Sequence, residues 1–117
     1  MISDIILGMS KWTYGRLVID EPTMQYPQPD GSWGAERSPQ DQSTRFRQLY
    51  RAVLVTRQGR QQLDPLTVDH NTGATMFDDP GVHFLDQVGE QGWEYLSQGP
   101  GFRGQLYGTF LLRLAMH

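Results

Sequence analysis

Arg45, Arg47 and Arg51 recur along the run Thr44–Arg57 (TRFRQLYRAVLVTR), with Tyr50 among them and Arg60 just beyond. In an extended strand, alternate side chains stand on one face about 7 Å apart. Guanidinium groups spaced in this way can grip phosphates while a neighbouring ring stacks on a base. Arg45, Arg47, Tyr50 and Arg51 are therefore the candidate ligand-binding residues, for an anionic small molecule such as a signalling nucleotide. The same row also fits a solvated face paired with nearby carboxylates, or an edge strand charged to deter pairing. Nine of the ten cationic side chains are Arg, and only Lys11 is Lys. Arg offers a planar fork suited to phosphate, but G+C-rich coding would give the same bias.

Other patterns carry less chemistry. Gly99-Pro100-Gly101-Phe102-Arg103-Gly104 fits the letters of a dinucleotide loop. Such a loop must open a helix whose N-terminus meets the pyrophosphate. A strand is expected after this one, and Pro100 removes an amide donor, so it reads as a hairpin loop. His70 beside Asp69, and His83 near Asp78 and Asp79, match no metal-ligand spacing. Asp86 and Glu90 lie four apart on the polar face of a helix, without the cleft that would raise one pKa for acid–base work. No catalytic residue, metal site or cofactor is expected, and the chain is not read as an enzyme.

The elements that must position the arginines follow from pattern. Trp12–Asp20 (WTYGRLVID) alternates as a strand, with Gly15 read as a bulge. Glu21–Gln42 holds Pro22, Pro27, Pro29, Pro39 and an Asp30-Gly31 turn signal, and fits either a long irregular loop or a wide hairpin. Thr44–Arg57 is the longest strand, Gln58-Gly59 a turn, and Leu66–Val68 a short strand before a turn at Asn71-Thr72-Gly73. Asp79 suits an N-cap, Pro80 the first helical position and Gly92 a left-handed stop. Between them Val82, Phe84, Leu85 and Val88 make an apolar arc. Trp93–Ser97 and Gln105–Met116 read as closing strands. Ile2, Ile5, Ile6 and Met9 have the spacing of a short helical face.

Phe84-Leu85-Asp86-Gln87-Val88-Gly89-Glu90-Gln91-Gly92-Trp93-Glu94-Tyr95-Leu96-Ser97 resembles the hallmark of a family of small bacterial and phage domains of unknown function. That hallmark is a helix ending in leucine–glycine–x–x–glycine–tryptophan–glutamate and followed by a strand. The resemblance spans about residues 45–114 in β-α-β-β order, with Val88 where leucine is usual. It implies a fold and no catalytic residues, and it makes Asp79, Pro80, Gly92 and Trp93 structural markers.

At 117 residues, 38% hydrophobic and 20% charged, the chain suits a single domain. The expected fold is α+β, a small antiparallel sheet of four to five strands with one main helix on one face. Residues 1–43 would form an N-terminal extension and 44–117 the core. A net charge of −3 argues against generic nucleic-acid binding. No stretch approaches the ~20 apolar residues of a membrane span. The absence of Cys suits a cytoplasmic protein, and nothing at the N-terminus reads as a secretory signal. The expected function is a non-catalytic binding or assembly module, a homo-oligomer because one helix leaves a sheet face to cover. A protein sequestering a phosphate-bearing small molecule is the alternative, and a small enzyme the third.

Overall fold

The computed structural model describes residues 11–42, 44–71, 74–75, 79–99 and 106–116. The stripe Ile2, Ile5, Ile6 and Met9, the turn residues Thr72 and Gly73, Asp78 and the loop Pro100–Gly104 lie outside them.

Runs of β-branched and aromatic residues form strands wherever Pro, Gly and Asp interrupt them. These are β1 (Trp12–Asp20), β2 (Thr23–Pro27), β3 (Trp33–Gly34), β4 (Phe46–Tyr50) and β5 (Ala52–Thr56). Then come β6 (Gly59–Gln62), β7 (Leu66–Asn71), β8 (Ala74–Thr75), β9 (Trp93–Gly99) and β10 (Leu106–Ala115). Helix α1 (Pro80–Glu90) falls between β8 and β9. Two five-stranded antiparallel sheets result, ordered β6-β5-β1-β10-β9 and β3-β2-β4-β7-β8.

The described chain is therefore mostly β, which corrects the expected α+β domain of one helix on a single small sheet. The error came from the prolines. Pro22 and Pro65 do not mark loops but a shared bend. There β1 runs into β2 across Glu21-Pro22, β4 into β5 across Arg51, and β6 into β7 across Leu63–Pro65. Proline cannot donate to a sheet ladder, so strands break where it stands. Hydrogen bonds still cross the bend, from Asp20 N to Arg51 O (3.0 Å) and from Leu63 N to Ala52 O (3.1 Å). Tyr50, Ala52 and Leu54 are all buried, so side-chain alternation passes through the bend unbroken. One face of both sheets accordingly shares one core, from Val68 and Leu66 through Tyr50 to Leu17, Ile19 and Leu112.

Helix α1 covers the first sheet on that core face. Asp79 caps it, its Oδ1 accepting from Gly81 N (2.8 Å) and Val82 N (3.3 Å), with Pro80 opening the first turn. Phe84 and Val88 are buried in the core, and burying such side chains contributes roughly 1.5–3 kcal/mol each. The Gln87 side chain accepts from Asp64 N (2.9 Å) and donates to Asp64 O (2.9 Å), which ties the helix to the bend. Gly92, at φ 97°, lets the chain reverse beneath the helix.

The reversal drives Trp93 into the core, where it is 8% exposed. Its ring lies against β1 at Gly15, where a Cβ would stand 2.9 Å from Trp93 Cζ3 and 3.0 Å from Cη2. Gly15 is thus no bulge: its register with Leu112 is regular, and the irregularity of β1 lies between Ile19 and Asp20. The glycine is there to admit an indole. Strand β1 lies at the centre of the first sheet, paired with β5 on one side and β10 on the other.

Trp93→Ala should cost about 3–5 kcal/mol in urea unfolding, as deletion of a buried aromatic does. Gly15→Ala should cost about 1–3 kcal/mol by overpacking. In the Trp93→Ala background the same methyl should be nearly neutral, because it enters vacated space. Additive losses in this double-mutant cycle would refute the contact.

Candidate functional site

The face of the second sheet turned away from the core is built around Trp33. The Asp30-Gly31 turn delivers it: Gly31 takes φ 87°, Gln28 N donates to Ser32 O (2.8 Å), and Gly31 N donates to Gln28 O (3.0 Å). Ser32 donates to Asp30 Oδ1 from its hydroxyl (2.6 Å) and its backbone N (2.9 Å). These bonds, the hydroxyl's foremost, hold the Asp30 carboxyl below its usual range.

Two guanidinium groups gather over the indole, Arg47 at 4.4 Å from the ring centroid and Arg45 at 4.9 Å. Arg47 Nε donates to Gln25 Oε1 (2.6 Å), and Arg45 Nη2 pairs with Asp69 Oδ2 (3.0 Å). Asp69 stands opposite Arg47 in register, and its other carboxylate oxygen is buried with no hydrogen-bond partner. Beside this group Arg37 lies over Tyr26 at 4.8 Å and pairs with Asp41 at 2.7 Å.

Arg45 and Arg47 are thus brought together, but the rest of the expected ligand set is not. Tyr50 is 6% exposed on the opposite, core face, with its hydroxyl 3.3 Å from Gln48 Oε1. Arg51 stands exposed in the break between β4 and β5. Asp79, Pro80, Gly92 and Trp93 occupy structural positions around α1. His70 stacks on Phe46 at 4.7 Å and bonds Gln48 (2.7 Å), while His83 approaches Gln87 Nε2 (3.0 Å). Among the described residues, no three of His, Asp and Glu gather as a metal site requires.

Sequence reasoning missed two things: Trp33 as the centre of the arginine pair, and the bare face of the first sheet. Gly15, Leu17 and Ile19 point to the core, so Tyr14, Arg16 and Val18 share the other face. Register adds Val55 and Leu111 beside Arg16, Arg60 beside Val55, and Arg113 beside Tyr14. Arg113 lies 3.9 Å over the Trp12 ring and pairs with Glu94 Oε2 (3.0 Å). Tyr14 is 52% exposed and Leu111 36%. At this end Trp12, Tyr14, Arg57 and Met116 line a cleft of about 410 Å³. The strict alternation of β1 was the signal that could have found this face.

The geometry defines a class, an antiparallel β protein with one face under a helix and the other rich in arginine and, among the described residues, without a covering element. Compared with known protein families, curated proteins and solved structures, the chain matches none.

Trp33→Ala should cost about 1–2 kcal/mol, since it removes two partly exposed cation–π contacts of about 0.5–1 kcal/mol each. Arg51→Ala should stay within about 0.5 kcal/mol. Equal losses in chemical denaturation would mean that Trp33 does not anchor the arginine pair.

Proposed function

We propose that this chain is a non-catalytic assembly module that associates with further copies of itself through the bare face of its sheets. The observation that carries this is the row on the central strand that is exposed at Tyr14 and Arg16 and half-buried at Val18 among the described residues, flanked by exposed Leu111 and half-buried Val53 and Val55. A sheet normally buries both faces or turns a polar one to water, and this one mixes exposed aromatic and aliphatic groups with arginine. Its size suits an interface. The fifty-five strand residues of the two sheets, each covering about 4.8 by 3.3 Å, span roughly 870 Å². That is about what one partner buries in a standard interface. No described helix is long and apolar enough to cross a membrane. The reading keeps the chain among cytoplasmic proteins and among the small bacterial and phage domains that its helix–Gly-Trp-Glu segment resembles.

The second reading, a site for a phosphate-bearing small molecule, draws on Arg45 and Arg47 meeting over Trp33 with one carboxylate nearby. Under that reading, nucleotides or sugar phosphates would raise the melting temperature at low salt by mass action. The Arg45→Ala/Arg47→Ala variant would show no such rise.

Sedimentation at micromolar concentration should give a mass above 13.4 kDa, and Leu111→Glu should lower it. A clean monomer across that range would overturn the assembly reading. A phosphate-dependent shift in such a monomer would favour the second.

A further inference from the structure

The bare face and the helix side carry opposite charge. On the bare face register and contacts place Arg16, Arg60, Arg113, Arg45 and Arg47, against the acids Glu94 and Asp69. The helix side has the reverse balance. Asp79, Asp86 and Glu90 are exposed along α1, which contains no Lys or Arg. Between α1 and strand β6 lies a cleft of about 390 Å³, lined by Gln61, Asp64, Gln87 and Glu90 among others, with no cationic group in its wall.

Two copies docked by like faces would set one arginine row against another, and like charges across an interface cost several kcal/mol. Opposite faces fit. We infer that copies stack head to tail, with arginines of one copy's bare sheet face entering the acidic cleft between α1 and β6 of the next. This rests on the assembly reading and adds the partner surface, the polarity and the stoichiometry. The carboxylates of Asp64 and Glu90 suit the fork of a guanidinium, and the side-chain amide oxygens beside them can accept its remaining donors. An interface of two different patches is heterologous, so it repeats into a ring if the rotation closes and a filament if it does not.

The test uses two charge reversals. Arg16→Glu/Arg60→Glu removes the donor face and leaves the cleft. Asp64→Lys/Glu90→Lys removes the cleft charge and leaves the face. Both change exposed side chains, and melts by circular dichroism check that each variant folds. Sedimentation should show the native chain associating at low salt and dissociating as salt screens the contact. Each variant alone should be monomeric. An equimolar mixture should recover association above 13.4 kDa, because the intact face meets the intact cleft and the reversed face meets the reversed cleft. A mixture that stays monomeric while the native chain associates would overturn the head-to-tail stack and leave assembly by another surface. Association of the native chain indifferent to salt would overturn it as well. A native chain that stays monomeric would end both proposals, and binding of a single-stranded oligonucleotide to it would assign the arginines to nucleic acid.

Discussion

An indole resting on a strand with no side chain beneath it is the contact around which this chain is organised. Gly92 reverses the backbone at the end of α1, and Trp93 comes down on Gly15 in the central strand. That closeness decides several things together. It sets how near β9 and the helix end lie to β1, and it lets Phe84 and Val88 reach Leu17, Ile19 and Leu112. Among the described residues it also leaves Tyr14 and Arg16 exposed on the reverse side of the same strand, since one helix can lie on one face only. The bare face follows from a core built on one side.

The second constraint is the bend. Three adjacent strands break along a single line, and the breaks differ in kind: Pro22 and Pro65 lack an N–H, whereas Arg51 interrupts its strand without proline. Hydrogen bonds on both sides of Arg51 and Ala52 carry the ladder across. Because alternation is kept, the arginines of the second sheet and those of the first belong to one continuous surface. Gln87 then clamps the helix to the bend through both backbone groups of Asp64, so helix position and sheet angle are tied together.

The helix was legible because its punctuation is local: Asp79, Pro80 and Gly92 each act within a turn. The central strand was legible from its alternation. The second sheet was not, because proline density in Glu21–Gln42 reads the same for a loop as for short strands that end at each proline. Gly15 misled for a related reason, since a glycine in a strand marks either a bulge or a close neighbour and only the fold says which. Grouping Tyr50 with the arginines went against the alternation itself, which puts even and odd positions of one strand on opposite faces. Trp33 could not be placed from sequence, because it reaches Arg45 and Arg47 only through a hairpin that the prolines obscured.

Strand β1 also has a consequence for how the chain is made. Its partner along one whole edge is β10, with Trp12 opposite Ala115, so the middle of the first sheet joins nearly the first and last described residues. As the chain leaves the ribosome, β1 emerges well before β10 and must wait with that edge open until synthesis has passed Ala115. Contacts so distant in sequence close slowly, and exposed strand edges invite aggregation meanwhile. The short hairpin of β5 and β6 can form while the chain is still growing and can shield the other edge of β1. Folding of the first sheet is in this sense held back until β10 has been made.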